Sequence, residues 1–172
     1  MPGVEAALLS LEESGEAEHR HLLPETSKDQ GELLIRSSSM FDRYYGRPEA
    51  TAKEFYTEAG SGGLKWFKTG DCATRDENGV FSIKGRLSAD IIKKGGYKIS
   101  ALDIEGVLLT HPGIEQACVL AIPCEKYGDE IAALLVGDST LTEAELTAYT
   151  REKLSSYKVP RVWKFLDSIP RN

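Results

Sequence analysis

The chain has 172 residues, 41% of them hydrophobic and 28% charged, with a formal net charge of −6. An acidic balance argues against a nucleic-acid or anionic-membrane surface, since both require a cationic field. No apolar run reaches the roughly 20 residues that span a bilayer.

The length suits one ordinary domain or two small ones. The opening residues, MPGVEAALLS, lack the basic and long apolar regions of a secretory signal. Cys72, Cys118 and Cys124 form no CxxC pair, so neither a disulfide framework nor a thiolate zinc site is expected. The chain reads as soluble and intracellular.

In chain order, residues 4–9 (VEAALL) read as a short strand. Residues 11–30 are polar, acidic and without period, an exposed loop. That loop holds His19 and His21 beside Glu18, which reads as a solvated cluster rather than a metal site because further ligands and rigid support are lacking. No metal-binding residues are assigned. GELLIRS (31–37) is a strand flanked by a turn glycine. MFDRYYGRPEAT (40–51) leads through Arg-Pro, an extended or turn pair, into a short helix. Residues 61–63 (SGG) form a turn. Asn78-Gly79 between two β-rich runs predicts a hairpin of the I′ type.

The pattern changes after Arg86. Ser100 and Asp103 form a capping box, with Ile99 and Ile104 as a hydrophobic staple. Ile104, Val107 and Leu108 make the apolar face of a helix that stops at His111-Pro112-Gly113. Residues 115–123 and 130–137 read as adjacent strands. Thr142 and Glu145 form a second capping box, with Leu141 and Leu146 as staple, opening a helix through about Leu154. Residues 161–170 alternate apolar and polar and close as a strand. The order β-α-β-β-α-β predicts a small sheet with two helices on one face. The fold class is therefore α+β, with a β-rich first part (1–85), a boundary near residues 86–90, and a second unit over 91–172.

Two places can carry chemistry. KTGD (68–71) is expected to end a strand in a tight turn, where Gly70 admits close backbone approach. Asp71 there is placed to accept two hydrogen bonds from a vicinal diol such as a ribose. The hairpin at 78–79 returns Arg86 to the same end of the sheet, and a carboxylate beside a guanidinium suits a nucleotide. Taken alone, a T-G-D turn is explained as well by a capping aspartate, and Arg86 by a surface ion pair. The second place is GRLSADIIKKGGYKIS (85–100). Lys93, Lys94 and Lys98 beside Gly95-Gly96 give a cationic loop with accessible backbone, although on charge alone an exposed basic hairpin is the simpler account.

The ordered set favours the chemical account. GELLIRSSSMFDRYYGRPEAT, WFKTGD, GRLSADIIKKGGYKISALDIE and VPRVWKFLDSIPRN resemble, in sequence order, the C-terminal motifs of the acyl-adenylate-forming superfamily. That superfamily comprises acyl-CoA synthetases, luciferases and the adenylation domains of peptide synthetases. Within it, SADIIKKGGYKISALDIEGVLLTHPGI most resembles the mitochondrial malonate–CoA ligases.

The resemblance implies an ATP-dependent acid–thiol ligase that uses Mg²⁺-ATP to form an acyl-AMP and then transfers the acyl group to CoA. Malonate or another short dicarboxylate is the implied acid. Asp71 would hold the ATP ribose and Arg86 would contact the same nucleotide. Ser88 and Ala89 share the hinge position. Lys93 would serve the thioester step, with Gly95 and Gly96 near the thiol arm of CoA. The expected partners are a carboxylic acid, ATP, CoA and an N-terminal domain of the same protein carrying the phosphate loop. The chain is expected to be a fragment, inactive alone, that stops before the family's final lysine. The implied compartment is the mitochondrion, with the cytoplasm as the other option. Two rival readings are a stand-alone, non-catalytic partner-binding module and a peptide-synthetase adenylation domain.

Overall fold

The computed structural model describes residues 3–11, 20–58 and 62–170. It divides into two compact units, Met1–Leu87 and Ser88–Asn172.

The first unit is a five-stranded sheet built from β1 (Val4–Ser10), β2 (Gly31–Ser37), β3 (Phe55–Thr57), β4 (Lys65–Arg75) and β5 (Phe81–Arg86). Strand β4 is the hub, antiparallel to β2, β3 and β5. Leu9, Leu34 and Trp66 form the buried cluster, with Ala7, Leu22 and Tyr56 packed against it. Gly31 is no turn residue. It pairs with Ser10 inside the β1–β2 ladder, where an added Cβ would lie 2.8 Å from the Leu8 Cβ. Close approach of two strands, not a bend, is what requires glycine there.

Helix α1 (Pro48–Glu54) follows Arg47 as expected, with proline in its first turn, where no N–H is missed. Phe41, Tyr44, Phe55 and Phe67 meet edge to face with ring centroids 5.1–5.6 Å apart. They bind the 41–44 segment to β3 and β4.

The β4–β5 hairpin forms, but not with a I′ turn. The Asp76 carboxylate accepts from the N–H groups of Asn78 (2.9 Å) and Val80 (2.8 Å), and Gly79 N–H donates to Asp76 O. Only Gly79 takes a positive φ, +81°. The connection is the three-residue kind, a turn closed by one left-handed glycine.

The second unit begins with a hairpin of β6 (Ile91–Lys94) and β7 (Tyr97–Ser100), where the sequence pattern had a single opening strand. Helix α2 (Ala101–Leu108), β8 (Ile114–Cys124), β9 (Gly128–Gly137), α3 (Glu143–Lys153) and β10 (Val162–Phe165) follow. Strand β9 is central, antiparallel to β8 along its length and parallel to β10 at Ala132–Leu135. β6 joins at Lys94–Gly128.

Both helices start where the capping residues lie. Ser100 Oγ accepts from Asp103 N–H (3.1 Å), and Thr142 and Glu145 make the full reciprocal box. Ile131, Ala133 and Leu135 lie on one face of β9 and share a core with Ile92, Ile99, Ile104, Leu108, Val119, Leu146 and Trp163. Residues from both helices therefore cover that face.

Candidate functional site

The T-G-D segment does not end its strand. β4 runs through it to Arg75. Strand β2 pairs Glu32 with Cys72 and Leu34 with Lys68, so Leu33 alone stands opposite Thr69, Gly70 and Asp71. The three residues form a bulge in mid-strand, a device that re-aims side chains.

The bulge leaves backbone groups off the ladder, and the Thr69 hydroxyl and the Leu87 backbone satisfy them. Thr69 Oγ1 donates to Leu33 O at 2.9 Å and accepts from Asp71 N–H at 3.1 Å. Leu87 N–H donates to Gly70 O at 2.9 Å. Gly70 itself sits at φ +75°, and a Cβ there would approach Arg86 Nη1 to 3.3 Å.

Asp71 and Arg86 are brought together as direct register partners. Arg86 Nε lies 3.0 Å from Asp71 Oδ1, and Nη1 donates to Thr69 O at 2.8 Å. The arginine side chain is 61% exposed and the aspartate 27%. Asp71 is thus partly sheltered and lies within a strand, not in the strand-ending turn that the sequence pattern implied. A carboxylate engaged through one oxygen, on a rigid bulge beside a solvent-facing guanidinium, suits a ligand offering paired hydroxyls and a negative charge.

In the second unit, Gly95 and Gly96 are the two central residues of the β6–β7 turn, with φ +56° and +84°. Both positive values are what a I′ turn requires, so a I′ hairpin lies here and not at residues 78–79. The hairpin is tied to the start of β9. Gly95 N–H donates to Tyr127 O (2.9 Å) and Lys93 N–H to Asp129 Oδ2 (3.0 Å). The Lys93 side chain faces outward.

Lys94 is not part of a cationic loop. It is buried and ion-paired with Glu130, whose other oxygen lies 3.8 Å from Arg161 Nε. Burial pushes the Glu130 carboxyl up. Hydrogen bonds from Lys94 and from Ile131 N–H, with the charges of Lys94 and Arg161, outweigh this and hold it below the ordinary range. Ser88 and Ala89 are exposed residues of the turn joining β5 to β6.

Sequence reasoning missed Thr69, although it stands in the motif, because its partner Leu33 depends on strand register. It also missed Asp129 and Glu130, whose partners lie 36 residues away with no spacing signal. Among the described residues no three His, Cys, Asp or Glu side chains gather into a metal site. His19 and Glu18 lie outside the described residues. No helix among the described residues is long and apolar enough to cross a membrane.

Residues 103–172 match the AMP-binding enzyme C-terminal domain. Along its length the chain is 39% identical to a probable CoA ligase of Humulus lupulus, covering 99% of this chain and 28% of that protein. It is 35% identical to the mitochondrial malonate–CoA ligase of Homo sapiens, covering 99% of this chain and 29% of that protein. Among solved structures it superimposes with a TM-score of 0.79, at 30% identity, on the o-succinylbenzoate CoA synthetase of Bacillus subtilis in complex with its acyl-adenylate intermediate. That match covers 100% of this chain and 32% of the other. The chain thus spans less than a third of the length of these proteins. The chain thus carries an AMP-binding enzyme C-terminal domain over residues 103–172, and along its length it is similar to CoA ligases of the acyl-adenylate-forming kind.

Proposed function

We propose that the chain is the C-terminal part of an ATP-dependent acid–CoA ligase, completed by a segment that supplies the phosphate loop and the acid pocket. In the first half-reaction a carboxylate attacks the ATP α-phosphate and pyrophosphate leaves. In the second, the CoA thiol, losing its proton, attacks the acyl carbonyl and AMP leaves.

The carrying observation is the T-G-D bulge, which holds Asp71 and Arg86 together at one sheet position. In this reading Asp71 accepts hydrogen bonds from the ribose diol, and Arg86 adds its outward guanidinium to the same nucleotide. Ser88 and Ala89 form the hinge. Lys93 serves the thioester step, with Gly95 and Gly96 giving the thiol arm access to backbone. The acid is malonate or a similar short dicarboxylate and the compartment the mitochondrion, supported by the named activity and location of the Homo sapiens relative.

The test uses the protein of the complete reading frame with ATP, CoA and a panel of acids including malonate. The expected result is AMP and a CoA thioester, fastest with malonate. A different preferred acid would overturn the malonate assignment. Failure to form AMP with any acid would overturn the ligase reading.

A further inference from the structure

The bulge poses a problem that ordinary strand pairing would not. Leu33 O points at β4, where the backbone has looped out over Thr69–Asp71 and offers it no ladder N–H. An acceptor stranded inside a sheet is costly unless a donor reaches it.

The Thr69 hydroxyl answers both sides of the gap. Its proton goes to Leu33 O at 2.9 Å, which leaves a lone pair for Asp71 N–H at 3.1 Å. One oxygen therefore joins the straight strand to the residue that carries the candidate carboxylate. From the other side, Arg86 holds Thr69 O at 2.8 Å and Asp71 Oδ1 at 3.0 Å. Asp71 is clamped at its backbone by Thr69 and at its side chain by Arg86.

We propose that Thr69 is a positioning residue for nucleotide recognition, setting the aim of Asp71 through the Leu33 O–Thr69 Oγ1–Asp71 N–H bridge. This rests on the nucleotide reading of Asp71. In this role Thr69 acts through Asp71 and not on the nucleotide itself. Its hydroxyl matters, and its methyl does not. Serine retains both hydrogen bonds, and valine, of nearly the same shape, makes neither.

The experiment measures AMP affinity by calorimetry, and KM for ATP and for CoA separately, in the protein of the complete reading frame. The variants are Thr69→Val, Thr69→Ala, Thr69→Ser and Asp71→Ala, each checked for a native thermal transition. The expected result is that Thr69→Val weakens AMP binding about tenfold, the scale of one or two net hydrogen bonds. KM for ATP rises with it, KM for CoA holds, and Thr69→Ser restores wild-type values. If the valine variant does not fold, the alanine variant carries the same expectation.

If Asp71→Ala weakens AMP binding while neither hydroxyl-free variant does, Thr69 has no positioning role. If serine fails to rescue, the hydroxyl bridge is not the cause and the inference falls. If Asp71→Ala leaves AMP binding unchanged, the nucleotide reading of Asp71 fails first and takes this inference with it.

Discussion

Arg86 stands directly opposite Asp71 across the β4–β5 ladder, its Nε 3.0 Å from Oδ1, while its Nη1 reaches back to Thr69 O. The arginine thus braces the bulge as well as facing solvent. With the arginine largely in solvent and screened, the two charges add under about 1 kcal/mol to stability. Their effect is expected in binding instead. Asp71→Ala should weaken ATP use in adenylation by about 1.5–3 kcal/mol, the usual scale for losing a charged hydrogen-bond acceptor. Pre-steady-state adenylation rates against ATP concentration check it.

Lys93 is an exposed residue of a hairpin in the second unit, whereas the T-G-D bulge belongs to the first. Lys93→Ala in the complete protein should slow thioester formation from preformed acyl-AMP and spare adenylation. Single-turnover assays of the two half-reactions give the answer. Equal slowing of both, or of neither, would end the thioester role.

The Lys94–Glu130 pair makes a stability prediction. Each side chain keeps only 11% of its surface exposed, so Glu130→Ala strands a sheltered ammonium. The expected loss is about 2 kcal/mol, read from chemical denaturation. Replacing both residues by apolar ones of similar size should restore most of it.

Two glutamates of the same unit should titrate in opposite senses. Glu130 is held below its ordinary 4.5, so its contribution is full above that pH and is lost as pH falls through the lower folded value. Burial pushes Glu105 above 4.5. The Val119 N–H bond offsets this in part, and the Asp90 charge adds to it. Its contribution is greatest below 4.5 and declines as pH rises through the raised folded value. Denaturation midpoints between about pH 3 and pH 7 should show Glu130→Gln flattening the acid limb. Glu105→Gln should remove a slope of the other sign.

The second unit should also fold alone. Residues 88–172 hold one contiguous core shared by β6–β9, both helices and Trp163. A chain of that length is near the size at which single domains are stable. Its isolated thermal melt should be cooperative, and a broad, non-cooperative melt would show that it needs the first unit.

What was legible in the sequence follows from how local each feature is. The capping residues Ser100 and Thr142 are read within four positions, and the helices start there. The strands at β8 and β9 announce themselves by apolar runs bounded by glycine. The T-G-D bulge was not legible, because it depends on how β2 is registered against β4, a relation no local pattern encodes. Lys94 misled for a similar reason: its partner is 36 residues away, and charge on a glycine-flanked stretch looks like solvent exposure. Asn78-Gly79 misled locally. The Asp76 side chain captures two N–H groups of that loop, so only the glycine adopts the left-handed backbone.

The two-glycine turn at residues 95–96 has a mechanical consequence. A connection of two residues, with one amide tied to Tyr127 and the preceding strand tied to Asp129 and Glu130, contains no slack. Lys93 cannot swing on a private loop. Its backbone moves only together with strands β6 to β9, so the hairpin is a stiff edge of the second unit and only the lysine's own side-chain rotations redirect its ammonium.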